Sequence, residues 1–444
     1  MPEEKPSAEV VATPKRAEDI TWMEASIWTP RMVEALEKGV EGGRWYSLID
    51  KVHRKENLKA AYERTNRNKG THGVDNISVR FFGKYLEENL DKLSEELKSG
   101  TYRPQSLRRI YIPKPGGGEE RPISIPTVRD RVVQGAVKNV IEPIFERTFA
   151  ETSYGFRPNR NAKQALRRVE KELNRGTQFV IDCDIKNFFD TIPQDKLMAK
   201  VEKQITDSKL LKLIEKMMQQ GIMDTHNEWT PTRGTPQGGV ISPLLANIYL
   251  NGLDHQLNQD GAQPTRYADD LVALCSTREE AERVLASIRI WIKEHGLELH
   301  PTKTKIVDMG QPGAEVDFLG YTFRRTGTGK LIRYPRKRSM DRIKEAIRKH
   351  TKRTTGVSLT TTIKRVNRST RGWFNYFQES TPNTFPAIDG FVRRRLRAIL
   401  LKRNRNPGFG DGWSHQRWPN SYFAELGLFS TTVAYASAVC PACR

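Results

Sequence analysis

Two adjacent aspartates, Asp269 and Asp270, stand in the segment "RYADDLVAL", between an aromatic residue and an apolar run. Neighbouring carboxylates that lose water repel each other, so one of them takes up a proton unless a cation or hydrogen-bond donors compensate. A second segment, "VIDCDIKNFFD", supplies Asp182, Asp184 and Asp190. Asp182 and Asp184 share one face of a strand because side chains alternate with a period of two, so either could line a cleft with the adjacent pair.

Facing carboxylates of this kind suit Mg²⁺, which prefers oxygen ligands and substrate phosphates. Two such ions can activate a hydroxyl group and stabilise a leaving pyrophosphate. The acids therefore indicate phosphoryl or nucleotidyl transfer. Taken alone, the pair at 269 and 270 also fits an ordinary turn between two strands, because Asp side chains bond readily to the local backbone.

Two glycine-containing segments could serve a phosphate-bearing substrate. The segment "IPKPGGGEERP" places Lys114 and Arg121 on either side of a glycine turn, so a short hairpin would bring both positive groups to one place. The segment "TPQGG", residues 235–239, contains glycines that let backbone approach a ligand closely. The alternatives are a surface hairpin with ordinary charges and a plain loop.

Helices and short strands must position these residues. Apolar spacing predicts helices within 48–100, at 132–149, at 162–175 and across "REEAERVLASIRIWIKEHG", which Gly296 ends. Strands are expected on both sides of Gly116–Gly118, at the start of "QFVIDCDIKNFFDTI", around the aspartate pair and, last, across "EVDFLGYTF". Beyond about Gly327 the pattern indicates a helical, basic region without obvious strands.

The net charge of +21 is concentrated in the last quarter of the chain. Residues 321–444 contain 26 Lys and Arg against 6 Asp and Glu, which leaves the preceding residues nearly balanced. A nearly neutral body with a basic appendage suits a polyanion. Trp373 and Phe377 lie four apart in "RGWFNYF" and are predicted to face the core.

The remaining composition indicates a cytoplasmic protein with no membrane partner. The first residues lack the apolar core of a signal peptide and read as a flexible leader. Cys183 and Cys275 lie in apolar runs and are expected to be small core residues. Cys440 and Cys443 form a terminal "CPAC" without a second pair, which favours a frayed end over a zinc site.

Several motifs in one order resemble the reverse transcriptases of bacterial group II introns, also called maturases. The segments "GVDNIS", "IPKPGGGEERPISIPTVRDRVVQ" and "SYGFRPNRNAKQAL" look like the N-terminal and finger blocks of this family. "DCDIKNFFD", "TPQGGVISPLLANIYL", "RYADD", "GLELHPTKTKI" and "VDFLGYTF" continue the series, and "RVNRSTRGWFNYF" resembles the helical thumb, domain X. The resemblance covers roughly residues 50–430 and implies an α/β right-hand polymerase, with fingers and palm followed by an α-helical basic thumb.

The resemblance also implies a role for particular residues. Asp184, Asp269 and Asp270 would be the polymerase acids, the first two as ligands of two Mg²⁺ ions and the third supporting them, whereas Asp182 would have no catalytic role. Phe189 would reject a ribose 2'-hydroxyl. The remaining implied dNTP contacts are Lys114 and Arg121 at the triphosphate, Gln237 at the nucleotide or template, and Lys303 as a proton donor to pyrophosphate, with Lys305 on the same face.

The implied activity is RNA-directed DNA polymerisation from a primer on an RNA template with dNTPs. The implied partners are the intron RNA, whose splicing the protein would assist, and a target DNA for retrohoming in a bacterial cytoplasm. The expected domains are a leader at 1–47, an N-terminal helical extension of the fingers at 48–100, fingers and palm at 101–326, the thumb at 327–412, and a tail at 413–444 without an endonuclease.

Two alternatives remain open at this point. One is a non-enzymatic RNA-binding splicing factor built on an inactive polymerase fold, which predicts broken catalytic positions. The other is a retron, diversity-generating or CRISPR-associated reverse transcriptase. The "TPQGG" form, the N-terminal block and the domain X resemblance favour the intron group.

Overall fold

The computed structural model describes residues 20–113, 120–224, 227–405 and 412–439. The chain divides into two units, one formed by residues 1–172 and 181–306 and the other by residues 173–180 and 307–444. None of the helices in the described ranges combines the length and apolar character needed to cross a bilayer.

The first unit contains most of the helices and two four-stranded sheets. One sheet has the order β2-β1-β4-β5 and the other β6-β7-β3-β8. Its helices are α1 Pro30–Lys38, α2 Ile49–Val52, α3 Lys55–Arg67, α4 Val79–Lys84, α5 Leu86–Ser99, α6 Val128–Glu146, α7 Ala162–Asn174, α8 Phe188–Thr191, α9 Gln194–Glu202, α10 Ser208–Met218, α11 Ser242–Gln259 and α12 Arg278–Glu294. Its strands are β1 Leu107–Pro113, β2 Glu120–Ile125, β3 Phe179–Cys183, β4 Ile222–Met223, β5 Glu228–Trp229, β6 Gln263–Tyr267, β7 Asp270–Cys275 and β8 Lys305–Asp308, with the unit boundaries falling within α7, β3 and β8.

The core of the first unit forms around α6 and α11. Nearly every residue of α6 is buried, and α11 buries Leu245, Tyr249, Leu253 and Leu257 along successive turns. The predicted helix at 132–149 begins earlier, at Val128, because the Thr127 hydroxyl accepts a hydrogen bond from the Asp130 amide and caps the first turn. The helix predicted at 162–175 is confirmed as α7.

The second unit combines a three-stranded sheet with helices. The sheet has the order β11-β10-β9, with β9 Glu315–Phe318, β10 Tyr321–Arg325 and β11 Leu331–Pro335. The helices are α13 Lys337–His350, α14 Leu359–Phe377, α15 Thr384–Arg403, α16 Gly412–Arg417, α17 Asn420–Glu425 and α18 Thr431–Val439. Trp373 and Phe377 are buried on α14 with ring centroids 5.2 Å apart, which confirms their predicted core position.

Two predictions about this sheet are wrong. The segment "EVDFLGYTF" forms two strands instead of one, because Leu319 and Gly320 both adopt positive φ, at 47° and 82°, and make a tight turn between β9 and β10. The region beyond Gly327 is also not free of strands, since β11 pairs antiparallel with β10. Strands of four or five residues are too short to leave a long alternating pattern in the sequence.

Residues 20–47 differ from the leader that the sequence suggests. They include α1, and Ile27, Trp28 and Trp45 are buried. The Trp28 indole donates to the Asn139 carbonyl at 2.9 Å, so this segment packs onto α6. Three large apolar side chains supply the burial that a flexible leader lacks. The domain ranges themselves stay predictions.

Both predicted core cysteines, Cys183 and Cys275, are confirmed as buried. Burial raises the pKa of each thiol to about 12, so neither is a ready nucleophile. Cys440 and Cys443, and the predicted glycine turn at Gly116–Gly118, lie outside the described residues.

Candidate active site

The end of β3 and the β6–β7 turn present the predicted acids. Strand β7 lies beside β3 in the sheet, and Asp184 follows β3 directly. The Asp184 carbonyl accepts a hydrogen bond from the His300 amide at 2.7 Å, which fixes the backbone at this point. Asp269 lies in the two-residue connection between Tyr267 and Asp270, which pair across the hairpin.

The turn that carries Asp269 has an unusual backbone. Ala268 adopts a φ of 61°, a left-handed conformation that is uncommon for residues other than glycine. Such backbone strain persists where the surrounding structure holds it, and it is frequent at functional sites. Asp270 begins β7 and is exposed. The adjacent acids are thus part of a hairpin turn, as the alternative from sequence holds, and the turn carries Asp269 close enough to Asp184 for their charges to interact.

Charge interactions indicate that three of the predicted residues lie near one another. Burial raises the pKa of Asp269 above its usual value. The charge of Arg121 lowers this pKa, whereas the charge of Asp184 raises it further. Arg121 on β2 therefore lies within electrostatic reach of the acids, and the two carboxylates repel each other across the site.

Lys303 makes the shortest described contact with the acids. Its ammonium nitrogen lies 2.6 Å from Oδ2 of Asp184, and both side chains remain partly exposed. This contact brings Lys303 to one of the three predicted acids.

The donor chemistry of the acids fits a hard divalent cation, because both groups offer carboxylate oxygens, the ligands that Mg²⁺ prefers. No group of three or more His, Cys, Asp or Glu residues within the described ranges is arranged to hold a metal ion. Asp184 and Asp269 are thus the residues that would hold such an ion, together with oxygen atoms from a substrate.

A loop joins the remaining predicted residues through backbone hydrogen bonds. The Thr235 amide donates to the Phe189 carbonyl at 2.7 Å, and the Ser124 amide donates to the Gln237 carbonyl at 2.8 Å. A Cβ added at Gly238 would lie 2.4 Å from the Ser124 carbonyl oxygen, so this close approach requires glycine. The loop therefore connects β2, which carries Arg121, with α8, which carries Phe189.

The structure thus gathers six of the predicted residues. Hydrogen bonds or charge interactions link Asp184, Asp269, Arg121 and Lys303. The shared loop links Phe189 and Gln237. Lys114 lies outside the described residues. Asp182 is half-buried in β3.

Sequence reasoning missed a buried ion pair under the β6–β7 turn. The Arg266 side chain is 1% exposed and that of Asp254 on α11 is 0% exposed. The signal in the sequence is an aspartate on the helix face that otherwise buries Leu250, Leu253 and Leu257. A charged residue at such a position calls for a buried partner.

The comparisons with known proteins identify two domains in this chain. Residues 112–323 match the reverse transcriptase (RNA-dependent DNA polymerase) family, and residues 340–418 match the group II intron maturase-specific domain. The first match contains all of the gathered residues, and the second contains most of the helical part of the second unit.

Two curated relatives cover part of the chain. Protein YkfC of Escherichia coli is 40% identical, over 48% of this chain and 57% of the relative. The group II intron-encoded protein LtrA of Lactococcus lactis subsp. cremoris is 31% identical, over 63% of this chain and 57% of the relative. The chain thus spans little more than half the length of these relatives.

A solved structure described as a partial Cas6-RT-Cas1–Cas2 complex aligns with 55% of this chain and 42% of its own chain, at 23% identity and a TM-score of 0.36. We draw no conclusion from that level of similarity. A reverse transcriptase domain followed by a group II intron maturase-specific domain, together with the similarity to LtrA, agrees with the resemblance of the sequence motifs to group II intron-encoded reverse transcriptases and maturases.

Proposed function

We propose that this protein is an RNA-directed DNA polymerase that copies group II intron RNA into DNA for retrohoming. The observation that carries the proposal is the convergence of Asp184, Asp269 and Arg121 where β3 ends beside the β6–β7 turn. A primer, an RNA template, dNTPs and a target DNA are the substrates that this activity requires. We assign residues 101–326 to fingers and palm and residues 327–412 to the thumb.

In the proposed reaction, Asp184 and Asp269 would hold two Mg²⁺ ions, with Asp270 supporting them. Such ions lower the pKa of the primer 3'-hydroxyl and neutralise charge on the pyrophosphate that leaves. Arg121, with Lys114, would hold the triphosphate through charge-assisted hydrogen bonds.

Three further residues have proposed roles. The Phe189 side chain would exclude a ribose 2'-hydroxyl and so select deoxynucleotides. Gln237 would contact the incoming nucleotide or the template. Lys303 would donate a proton to the departing pyrophosphate as a general acid, and its ion pair with Asp184 supports a position beside the acids.

The test of this function is the incorporation of dTTP, compared with UTP, on a poly(rA) template primed with oligo(dT) in the presence of Mg²⁺. The proposal predicts extension with dTTP and little with UTP. A folded protein that binds RNA but extends no primer would support the non-enzymatic splicing factor instead. The presence of all three acids argues against that alternative.

We propose a second function, assistance of intron splicing through RNA binding. The maturase-specific match and the basic character of residues 321–444 favour it. A groove of about 630 Å³ on the second unit is lined mainly by Arg342, Arg348, Lys349, Lys352 and Arg395. Such a surface suits RNA phosphates, because neutralising them releases bound counterions.

The splicing function has its own test. Addition of the protein should raise the splicing rate of the group II intron that encodes it at a low Mg²⁺ concentration, where the RNA alone folds poorly. An unchanged rate at saturating protein would contradict this second function without affecting the first.

A further inference from the structure

The β6–β7 turn rests on a set of four residues that we call the Arg266 cluster: Asp254, Arg266, Asn247 and Gly155. Arg266 is the largest side chain in the described part of the chain that is fully buried. A buried guanidinium needs a full set of acceptors, because its charge is costly to remove from water. The geometry shows where those acceptors come from.

Arg266 joins helix α11 to the turn. Its Nε donates to Oδ1 of Asp254 at 2.8 Å and its Nη2 donates to Oδ2 at 2.5 Å, a bidentate pairing. Its Nη1 donates to the Asn247 side-chain oxygen at 2.9 Å and to the Ala268 carbonyl at 2.8 Å. The guanidinium that pairs with Asp254 is therefore also hydrogen-bonded to the backbone of Ala268, the residue that precedes Asp269.

The opposite side of the turn is also held. The Asn247 side-chain amide donates to the Gly155 carbonyl at 2.8 Å. A Cβ added at Gly155 would lie 2.2 Å from the Ala268 nitrogen and 2.8 Å from the Tyr267 carbonyl carbon. Gly155 thus lies in direct contact with the turn backbone, and Asn247 ties it to the same guanidinium.

The backbone of Arg266 is fixed as well. Its amide donates to the Thr152 carbonyl at 2.9 Å, and its carbonyl accepts from the Tyr154 amide at 2.8 Å. The segment 152–155 therefore runs beside β6 and leads Gly155 to the turn. Arg266 and Gly155 thus both contact the backbone of Ala268, whose φ is positive.

We propose that Arg266, oriented by Asp254 and Asn247, is a positioning residue that holds the Ala268 carbonyl and thereby sets the place of the Asp269 carboxylate for cation binding. This inference rests on the proposed metal role of Asp269. Residues that orient a metal ligand without touching the metal affect its affinity strongly, and loss of one such partner commonly costs about 10- to 100-fold.

The test replaces the charge pair with apolar residues of similar size, in the double variant Asp254→Leu with Arg266→Met. Removing both partners avoids leaving one buried charge alone, which would strongly destabilise the fold. The matched control is Glu146→Leu with Arg157→Met, since Arg157 and Glu146 form another buried pair of the first unit. The Arg157 guanidinium donates to the Ala150 and Ser153 carbonyls and not to the turn.

The readout is Mn²⁺ binding measured by electron paramagnetic resonance titration. The Asp269→Asn variant shows how much of the bound Mn²⁺ depends on Asp269. The inference predicts that the Arg266 double variant keeps its thermal unfolding transition but binds Mn²⁺ about 10- to 100-fold more weakly. The control double variant should bind within about twofold of wild type, because its pair orients no metal ligand. If both double variants lose Mn²⁺ equally, or neither does, the positioning role is contradicted.

A second variant disturbs the turn from its other side without removing either partner of the ion pair. Gly155→Ala leaves the ion pair intact and displaces the turn backbone directly, so the inference predicts the same loss of Mn²⁺ affinity. Normal Mn²⁺ binding by this variant would contradict the inference. Wild type that binds no Asp269-dependent Mn²⁺ would contradict it too.

Primer extension separates this inference from the proposed polymerase function. Suppose that the variants differ from wild type in Mn²⁺ binding as predicted, but that wild type extends no primer. This result would support the positioning role and contradict the proposed polymerase function. Extension by the Arg266 double variant at the wild-type rate and Mg²⁺ requirement would overturn the positioning role alone.

Discussion

Lys303 and Asp184 form an ion pair across 119 residues of sequence, with the ammonium nitrogen 2.6 Å from the carboxylate Oδ2. Lys305, which the sequence offers as an equivalent on the same face, instead begins β8 as an exposed side chain. The structure thus distinguishes two lysines that the strand period alone leaves equal. This relationship gives Lys303 two opposing effects on the proposed reaction.

Replacing Lys303 with alanine separates those two effects. The change removes a cation that competes for Asp184, so the Mg²⁺ concentration for half-maximal primer extension should fall. It also removes the proposed proton donor, so the maximal rate should fall about 100-fold. Steady-state extension over a Mg²⁺ series measures both quantities.

Lys305→Ala is the matched control for this prediction, since it removes the same charge from the neighbouring strand without touching Asp184. It should leave both quantities close to wild type. A Lys303→Ala protein with an unchanged maximal rate would exclude Lys303 as a proton donor.

Phe189 is predicted to set the choice between deoxy- and ribonucleotides. Phe189→Ala should open space beside the sugar, and incorporation of UTP relative to dTTP should rise about 10- to 100-fold, the range expected when a pocket discriminates one small group. Single-nucleotide extension with each substrate gives the ratio. Phe189→Tyr keeps the ring and should keep the discrimination, and equal ratios in all three proteins would contradict a gating role.

The groove on the second unit is predicted to bind RNA through phosphates. Lys349→Ala combined with Lys352→Ala should weaken binding of the intron RNA and reduce the slope of log affinity against log salt by about 1 to 2. Filter binding over a salt series measures the slope. Lys209→Ala with Lys212→Ala, which removes two exposed lysines of α10, should leave the slope unchanged.

Asp389 should stabilise the second unit in a pH-dependent manner. It accepts hydrogen bonds from the Ser430 hydroxyl and from the amides of Thr431 and Thr432 at the start of α18. Burial raises the pKa of Asp389, but these bonds outweigh that effect and hold the pKa below its usual value. Because the pKa in the folded protein is depressed, the stabilisation is complete above the pKa of the unfolded chain, about 3.9, and is lost as the pH falls through the folded value.

Asp389→Asn should therefore lower the free energy of unfolding by about 1 to 3 kcal/mol at pH 7, and the difference from wild type should shrink at an acidic pH below the unfolded value of about 3.9. Urea denaturation at both pH values measures it. Glu425→Gln, at an exposed position at the end of α17, should have little effect. A deficit that does not change with pH would show that the charge of Asp389 is not responsible.

The residues of the site could be predicted from sequence where the chemistry is local to a motif. Asp184, Asp269 and Arg121 stand in short segments whose residue types indicate nucleotide chemistry, and the family resemblance assigns each one. The Arg266 cluster could not be predicted in this way. Its members come from a loop, a helix and a strand, and only the packing of α11 against β6 shows that Asp254 neutralises Arg266.

Helices were easier to predict than strands for a related reason. The apolar periods of α7 and α12 extend over many residues, and both helices are present as expected. Strand β11 has five residues, and the turn at Leu319 and Gly320 contains only two, so neither leaves a long pattern. Their stability comes from pairing with β10, which is a property of the assembled sheet.

The most direct test of the central claim is primer extension on oligo(dT)-primed poly(rA) with Mg²⁺ and dTTP, by wild type beside Asp184→Asn, Asp269→Asn and Asp270→Asn. Each variant is first shown to fold and to bind the primer and template as wild type does. We expect extension by wild type and none above background by the Asp184 and Asp269 variants, with a severe loss for Asp270→Asn. Extension by a folded Asp184→Asn or Asp269→Asn protein at the wild-type rate would contradict the assignment of these acids as the polymerase centre.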